Sequence, residues 1–285
     1  WDHDGRFIAS ILSNIFSFNS TITSIYPYSI ILSGLIVFFA GLVIVYVFFE
    51  SDFKYHSKLL PLILLISPFF LENLAYRYDS LYMSLSILFA VLPLLLWNKK
   101  RFVFISIGLL FLVFGLYQTS AMLYIACVLC LQIKILLQTE GRLVVKNIIY
   151  ALISFLVAFF LYKKALDLFA YNISRSEFLP LSKESIQVIC QRFNSYREMF
   201  KALLIDSNYI YAVMPLVACS VIVFVASVMA MPSVKEKLYK VIIILLLIGG
   251  VFLSFLLPNI ILKTMWLTAR TMIVFPTLLV LCVIF

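Results

Sequence analysis

Nine apolar runs separated by short polar breaks leave this chain few ways to fold. They fall at about 28–49, 59–72, 80–97, 102–117, 120–138, 147–169, 210–231, 241–262 and 271–285. Roughly 20 mostly apolar residues in a helix cross the hydrocarbon of a bilayer. Composition agrees: 64% of residues are hydrophobic and 12% charged, against about 25% charged in a soluble domain. That is too little charge to cover a soluble surface, which excludes a soluble enzyme, a disulfide scaffold and a disordered tail. The expected fold is all-α: one polytopic membrane bundle over residues 1–285 with about nine spans and interfacial amphipathic helices on its outer side. The chain opens on Trp1 in a polar stretch and stops inside an apolar run. It is therefore read as a piece of a longer protein, with an N-terminal span and C-terminal sequence expected beyond it.

The net charge of +9 reads as topology. Lys54 and Lys58, Lys99 to Arg101, Arg142 and Lys146, and Lys235, Lys237 and Lys240 place ten basic residues in four alternate short loops. The other short segments hold four: Arg6, Arg77, Lys263 and Arg270. The excess of Lys and Arg marks the cytoplasmic side. Residues 1–27, 73–79, 170–209 and 263–270 are then expected outside, where most of the carboxylates also fall. Nucleic acid is not an expected partner; the lipid bilayer is. The Cys127-x-x-Cys130 pair lies in an apolar run and reads as core.

Five outer elements carry chemistry. The first is Asp2-His3-Asp4-Gly5-Arg6, followed by Phe7, Ile8, Ile11, Leu12, Ile15 and Phe16 at the spacing of an amphipathic interfacial helix. One carboxylate can act as general base on a hydroxyl while the other orients that hydroxyl or binds Arg6. Asp-His-Asp also offers ligands to a divalent cation, and two acids before a helix can simply cap it. The second is Glu72-Asn73-Leu74-Ala75-Tyr76-Arg77-Tyr78-Asp79-Ser80. Asp79 is expected to pair with Arg77 or to cap the next helix. Glu72 and Asn73 fall at membrane depth, where ionisable groups are costly and usually functional. The third, Tyr117-Gln118-Thr119-Ser120, interrupts apolar sequence and reads as sugar-binding or as a polar turn. The fourth is a helical stripe in the long loop, Ile186, Ile189, Phe193, Tyr196, Phe200 and Leu203, whose opposite face carries Lys183, Glu184, Gln187, Gln191, Arg192 and Glu198. It is expected to lie over the outer mouth as a lid or acceptor platform. The fifth is Lys263 to Arg270, where Arg270 suits a lipid-linked phosphate or, beside Trp266, a headgroup anchor.

With these elements placed, the chain resembles the membrane glucosyltransferases that modify O-antigen, the Gtr type. The resemblance rests on Asp2 to Arg6, Glu72 to Ser80 and Leu116 to Ser120, of which the middle motif is the most specific. It implies a GT-C glycosyltransferase fold with an outward-facing site and a polyprenyl-phosphate sugar donor. A first-loop aspartate then assists the acceptor hydroxyl, a role that falls on Asp4 or Asp2, with Asp4 favoured.

The expected function is transfer of a hexose, glucose above others, from a polyprenyl phosphate to a hydroxyl of a lipid-linked surface glycan such as O-antigen of lipopolysaccharide. The expected setting is the periplasmic face of a bacterial inner membrane. Asp4 and Asp2 are the catalytic candidates. Arg77, Arg270 and Lys263 are the phosphate ligands. Arg6, Glu72, Asn73, Tyr76, Tyr78, Asp79, Tyr117 and Gln118 are the substrate-binding residues. No cofactor is expected, because phosphate is already a good leaving group. The rival reading is a transporter or flippase for a lipid-linked saccharide, which would want charges along a path through the bilayer; among the apolar runs only Lys134 is well inside one.

Overall fold

A computed structural model describes residues 5–16, 26–49, 58–138, 145–168, 179–180, 182–229, 234–263, 265 and 267–284. Among them twelve α-helices follow one another: α1 Phe7–Phe16, α2 Tyr28–Phe49, α3 Leu62–Leu65, α4 Pro68–Ala75, α5 Ser80–Val91, α6 Phe102–Leu116, α7 Ala121–Gln138, α8 Val145–Leu168, α9 Lys183–Phe200, α10 Ile210–Met229, α11 Val234–Ile261 and α12 Val274–Ile284. The protein is a helical membrane protein. Among the described residues, five stretches are long and apolar enough to cross a bilayer: Tyr28–Phe49, Gln118–Leu137, Val145–Leu168, Ile210–Met229 and Leu238–Ile260. At 1.5 Å per residue the 22 residues of α2 reach about 33 Å, the thickness of the hydrocarbon core.

The other four apolar runs are shorter or broken, so nine full spans are not what the helices give. Run 59–72 splits into α3 and α4, because Ser67 caps the second piece by accepting from Phe69 N at 3.3 Å and Pro68 follows as its first residue. Run 80–97 is helical to Val91 and tightens into a 3-10 turn, Leu92–Leu96, at Pro93. Run 102–117 stops at Leu116, where Tyr117 turns extended. The last run begins as a 3-10 turn, Ala269–Met272, ahead of α12.

The main contacts pair α2 with α5, α6 with α8 and α7 with α11. Buried serines at these seams return their hydroxyls to carbonyls of their own helix, as Ser33 does to Ser29 and Ser84 to Ser80, so small polar residues let the helices approach without orphaning a donor. Lys134, the basic residue inside a run, is buried and donates to the Phe48 carbonyl at the end of α2. Cys127 and Cys130 are buried and free, as core residues.

Two elements sit differently from the pattern read in the sequence. α1 forms, but it does not lay its whole apolar stripe outward: Phe7 and Ala9 are buried, whereas Ile11, Ile15 and Phe16 are half-exposed or more. Its first turn is drawn in because Phe7 meets Phe111 and Tyr162 at 5.8 and 6.2 Å and Ile8 fills the space left open by Gly115. In α9, Ile186 and Phe193 of the expected apolar face are exposed, while Arg192 of the expected polar face is buried. Hydrogen bonds to another helix end decide that rotation.

Candidate active site

The polar motifs, spread over 266 residues of sequence from Gly5 to Arg270, are brought to one end of the bundle. Gly5 adopts φ 72°, the left-handed conformation that glycine takes at no steric cost. It turns the chain into α1, whose first bond is Ser10 N to the Arg6 carbonyl at 3.0 Å. The carbonyl of Gly5 accepts from the Tyr162 hydroxyl of α8 at 3.2 Å, and that hydroxyl accepts from Gln118 Nε2 at 3.0 Å. The turn that carries the first motif is thus tied to the Tyr117–Ser120 turn. Asp2, His3 and Asp4, which hold both the general-base reading and the metal alternative, lie outside the described residues.

Arg6 reaches across the bundle. Its Nη1 donates to Asp79 Oδ2 at 3.1 Å, with side chains 13% and 20% exposed, and its guanidinium lies 4.8 Å from the centre of the buried Tyr117 ring. This corrects the expected role of Asp79. Its carboxylate pairs with Arg6, not Arg77, and makes no side-chain cap to α5. Arg77 instead stacks over Tyr26 at 4.6 Å, and its carbonyl accepts from Ser29. Arg77 therefore faces the start of α2, away from the partners of Arg6.

Arg270 comes from the far end of the chain to the same place. Its guanidinium sits 3.7 Å from the centre of the Tyr76 ring, close enough for cation–π attraction. Its backbone N–H donates to Glu72 Oε2 at 2.9 Å. The Tyr117 phenol is within electrostatic reach of Arg6, Arg270 and Glu72 together and is hydrogen-bonded by Thr119. Glu72 is thus an anchor: its carboxylate holds the N-terminus of the 3-10 turn that carries Arg270, where anionic groups are favoured. Lys263 is exposed at the other end of that segment, and its carbonyl is taken by Arg192. Tyr78 is exposed beside Arg77.

Around these groups lie buried polar atoms that have no partner among the described residues: both amide atoms of Asn73, Ser80 Oγ, Thr268 Oγ1, and the Nε atoms of Arg6 and Arg270. Asn73 is 0% exposed. A buried polar group without a hydrogen bond costs about 1–3 kcal/mol. Two cations, an amide and two hydroxyls with spare hydrogen-bonding capacity, gathered at one mouth, can take a phosphate and a polyhydroxy group.

Sequence reasoning named Arg6, Glu72, Asn73, Tyr76, Asp79, Tyr117, Gln118 and Arg270, and the structure draws these together. It passed over Thr268 and Tyr162. Tyr162 had one available signal, a hydroxyl next to Lys163 and Lys164 at the end of an apolar run. Thr268 had none.

The whole chain, residues 1–285, matches the family model described as Glucosyl transferase GtrII. The chain belongs to the GtrII glucosyl transferase family. A protein of Salmonella phage P22, described as an uncharacterized 55.3 kDa protein in the gtrB 5' region, is 26% identical over 217 residues. That alignment covers 74% of this chain and 44% of the relative, so the chain spans under half the length of the curated protein it matches. No solved structure matches it. In this GtrII chain the clustered polar end takes in residues of all three motifs that carry the resemblance, with Thr268 and Arg270 added from a fourth segment.

Proposed function

We propose that this protein is a membrane glycosyltransferase that moves glucose from a polyprenyl phosphate to a hydroxyl of a lipid-linked glycan such as O-antigen. The observation that carries the reading is the convergence of Arg6, Asn73, Thr268 and Arg270, whose buried atoms lack partners among the described residues, from three separate segments at one end of an apolar bundle. The family membership supports the same reaction class. A lipid-borne donor fits a site whose surroundings are membrane helices, since its polyprenyl tail stays in the bilayer while its phosphate reaches the mouth.

In this reading the acceptor hydroxyl attacks the anomeric carbon of the sugar. The new glycosidic C–O bond forms as the bond from that carbon to the phosphate oxygen breaks. The hydroxyl proton passes to a first-loop carboxylate, Asp4 or Asp2, and the lipid phosphate departs. Direct displacement inverts the anomeric centre. Arg270 and Arg6 meet the charge that grows on the phosphate, and Asn73 with Ser80 and Thr268 pairs with sugar hydroxyls. The charge asymmetry of the loops supports an arrangement in which this end faces outward from a bacterial inner membrane.

The test uses membranes from cells expressing the full-length protein, a radiolabelled polyprenyl-phosphate glucose and an acceptor glycan. Arg270→Gln is expected to cut kcat/KM by about a hundredfold or more, the scale of losing a charged group that acts on the transition state. Asp4→Asn and Asp2→Asn are made separately, and at least one is expected to abolish transfer with normal expression. Full activity in both aspartate variants refutes the base assignment. Passage of labelled donor across vesicles without a new glycosidic bond refutes the transferase reading.

A further inference from the structure

We infer that Arg192, on the helix of the long loop, is the positioning residue that sets where Arg270 stands. Its guanidinium is buried and lies within hydrogen-bond distance of four carbonyls, two in the last turn of α11 and two just past it: Nη1 to Asn259 at 2.9 Å, to Ile260 at 2.8 Å and to Leu262 at 2.5 Å, and Nη2 to Lys263 at 2.9 Å. No carboxylate among the described residues pairs with it. The last carbonyls of a helix have no intrahelical partner, and a cation there meets both the orphan acceptors and the negative end of the helix dipole. Charge-assisted bonds of this kind are roughly twice as strong as neutral ones.

One turn further along α9, the Tyr196 hydroxyl donates to the Leu256 carbonyl at 2.9 Å. Burial pushes this phenol up to about 12, against the Asn259 hydrogen bond and the Arg192 charge, so it remains a donor across the working pH range. Arg192 and Tyr196, four residues apart, therefore clamp the last turns of α11. The segment released at that point is short and is closed at its other end. Asn259 Nδ2 donates to Thr271 Oγ1 at 2.9 Å, Thr271 Oγ1 donates to the Thr268 carbonyl at 2.8 Å, and Glu72 holds Arg270 N. Asn259 and Thr271 are thus joined, and Arg192 fixes the direction in which the chain leaves α11. Without the clamp, the backbone at Leu262 and Lys263 is released, and the Arg270 guanidinium loses its place over Tyr76. Arg192 makes no contact with Arg270 and acts through the backbone.

The functional half of this inference rests on the transferase reading; the mechanical half does not. Hydrogen exchange is followed by mass spectrometry on the full-length protein in nanodiscs, for wild type, Arg192→Met and Arg192→Lys. In Arg192→Met, amides in 263–272 are expected to exchange about tenfold to a hundredfold faster, with 240–255 unchanged, and Arg192→Lys to fall between. Unchanged exchange at 263–272, or faster exchange throughout the protein, overturns the clamp. If Arg192→Met does not accumulate, Arg192→Gln, which keeps one amide donor, replaces it under the same criteria. Transfer from polyprenyl-phosphate glucose is then measured for Arg192→Met, Arg270→Gln and the double variant. A residue that acts through Arg270 gives a double variant no worse than Arg270→Gln alone, within about twofold. Losses that multiply overturn the assignment. Absence of transfer in the wild type would sink the transferase reading while leaving the exchange result to decide the clamp.

Discussion

Asn73 offers a test in which stability and activity are expected to move in opposite directions. Its side chain is 0% exposed, and neither the amide nitrogen nor the oxygen has a partner among the described residues. Each such group costs about 1–3 kcal/mol when buried, so the fold carries about 2–6 kcal/mol for holding this amide. Replacement by leucine removes both groups at similar volume. Fitting a branched apolar side chain into space shaped for an amide returns about 1–3 kcal/mol of that gain. Taking the middle of each range, Asn73→Leu is therefore expected to be about 2 kcal/mol more stable. At about 2–4 °C per kcal/mol for a chain of this size class, Tm rises by several degrees. A hydrogen bond to a sugar hydroxyl disappears with the amide, and kcat/KM for glucose transfer is expected to fall about tenfold to a hundredfold. Unfolding is followed by intrinsic fluorescence in detergent and transfer by radiolabelled polyprenyl-phosphate glucose. A variant that loses more than about 2 °C and retains full transfer would show that the amide supports the fold and has no place in substrate binding.

Two further perturbations probe how the site is assembled. A Cβ on Gly115 would stand 2.6 Å from the Ile8 side chain, so Gly115→Leu overpacks the seat of α1 by about 1–3 kcal/mol. It is expected to displace Arg6 from Asp79 and reduce transfer by tenfold or more, with Gly115→Ala milder; wild-type rates in Gly115→Leu would show that the docking of α1 does not matter to the site. Glu72 anchors the Arg270 turn through an accepted backbone hydrogen bond. Glu72→Gln keeps an acceptor and is expected to raise the donor KM only a few-fold, while Glu72→Ala raises it by about tenfold to a hundredfold, the range for a hydrogen bond to a charged group. Equal effects of the two, measured as steady-state KM, would mean that the charge of Glu72 and not its hydrogen bond carries the role.

Helix content, membrane embedding and the positions of the three polar motifs were legible in the order of residues. Hydrophobic length is a local property, and a polar group at the edge of an apolar run is conspicuous because its burial is costly. Glu72 and Asn73 stood out for that reason; Asn73 is fully buried and Glu72 is half-buried. Pairings were not legible. Arg77 is two residues from Asp79, yet Asp79 meets Arg6, 73 residues away, because the turn before α5 sends Arg77 toward Tyr26. Nine runs were readable, but spanning length was not secure for four of them: Ser67-Pro68 and Pro93 end helices from within apolar sequence, where composition gives no warning of a break.

The residues of α9 show the division most clearly. Periodicity alone determined that 183–200 is helical, since backbone hydrogen bonds are satisfied within the segment whatever surrounds it. Which face turns inward was decided only by the tertiary fold. The carbonyls at and just past the end of α11 attract Arg192 more strongly than Ile186 or Phe193 is drawn to apolar neighbours, and those carbonyls, 67 to 71 positions further along the chain, are brought within reach only by the tertiary fold. The chain's own order thus determined a helical membrane protein with three polar motifs. Long-range charge and hydrogen-bond pairing, which no local pattern encodes, decided that Arg6, Asn73 and Arg270 share one mouth.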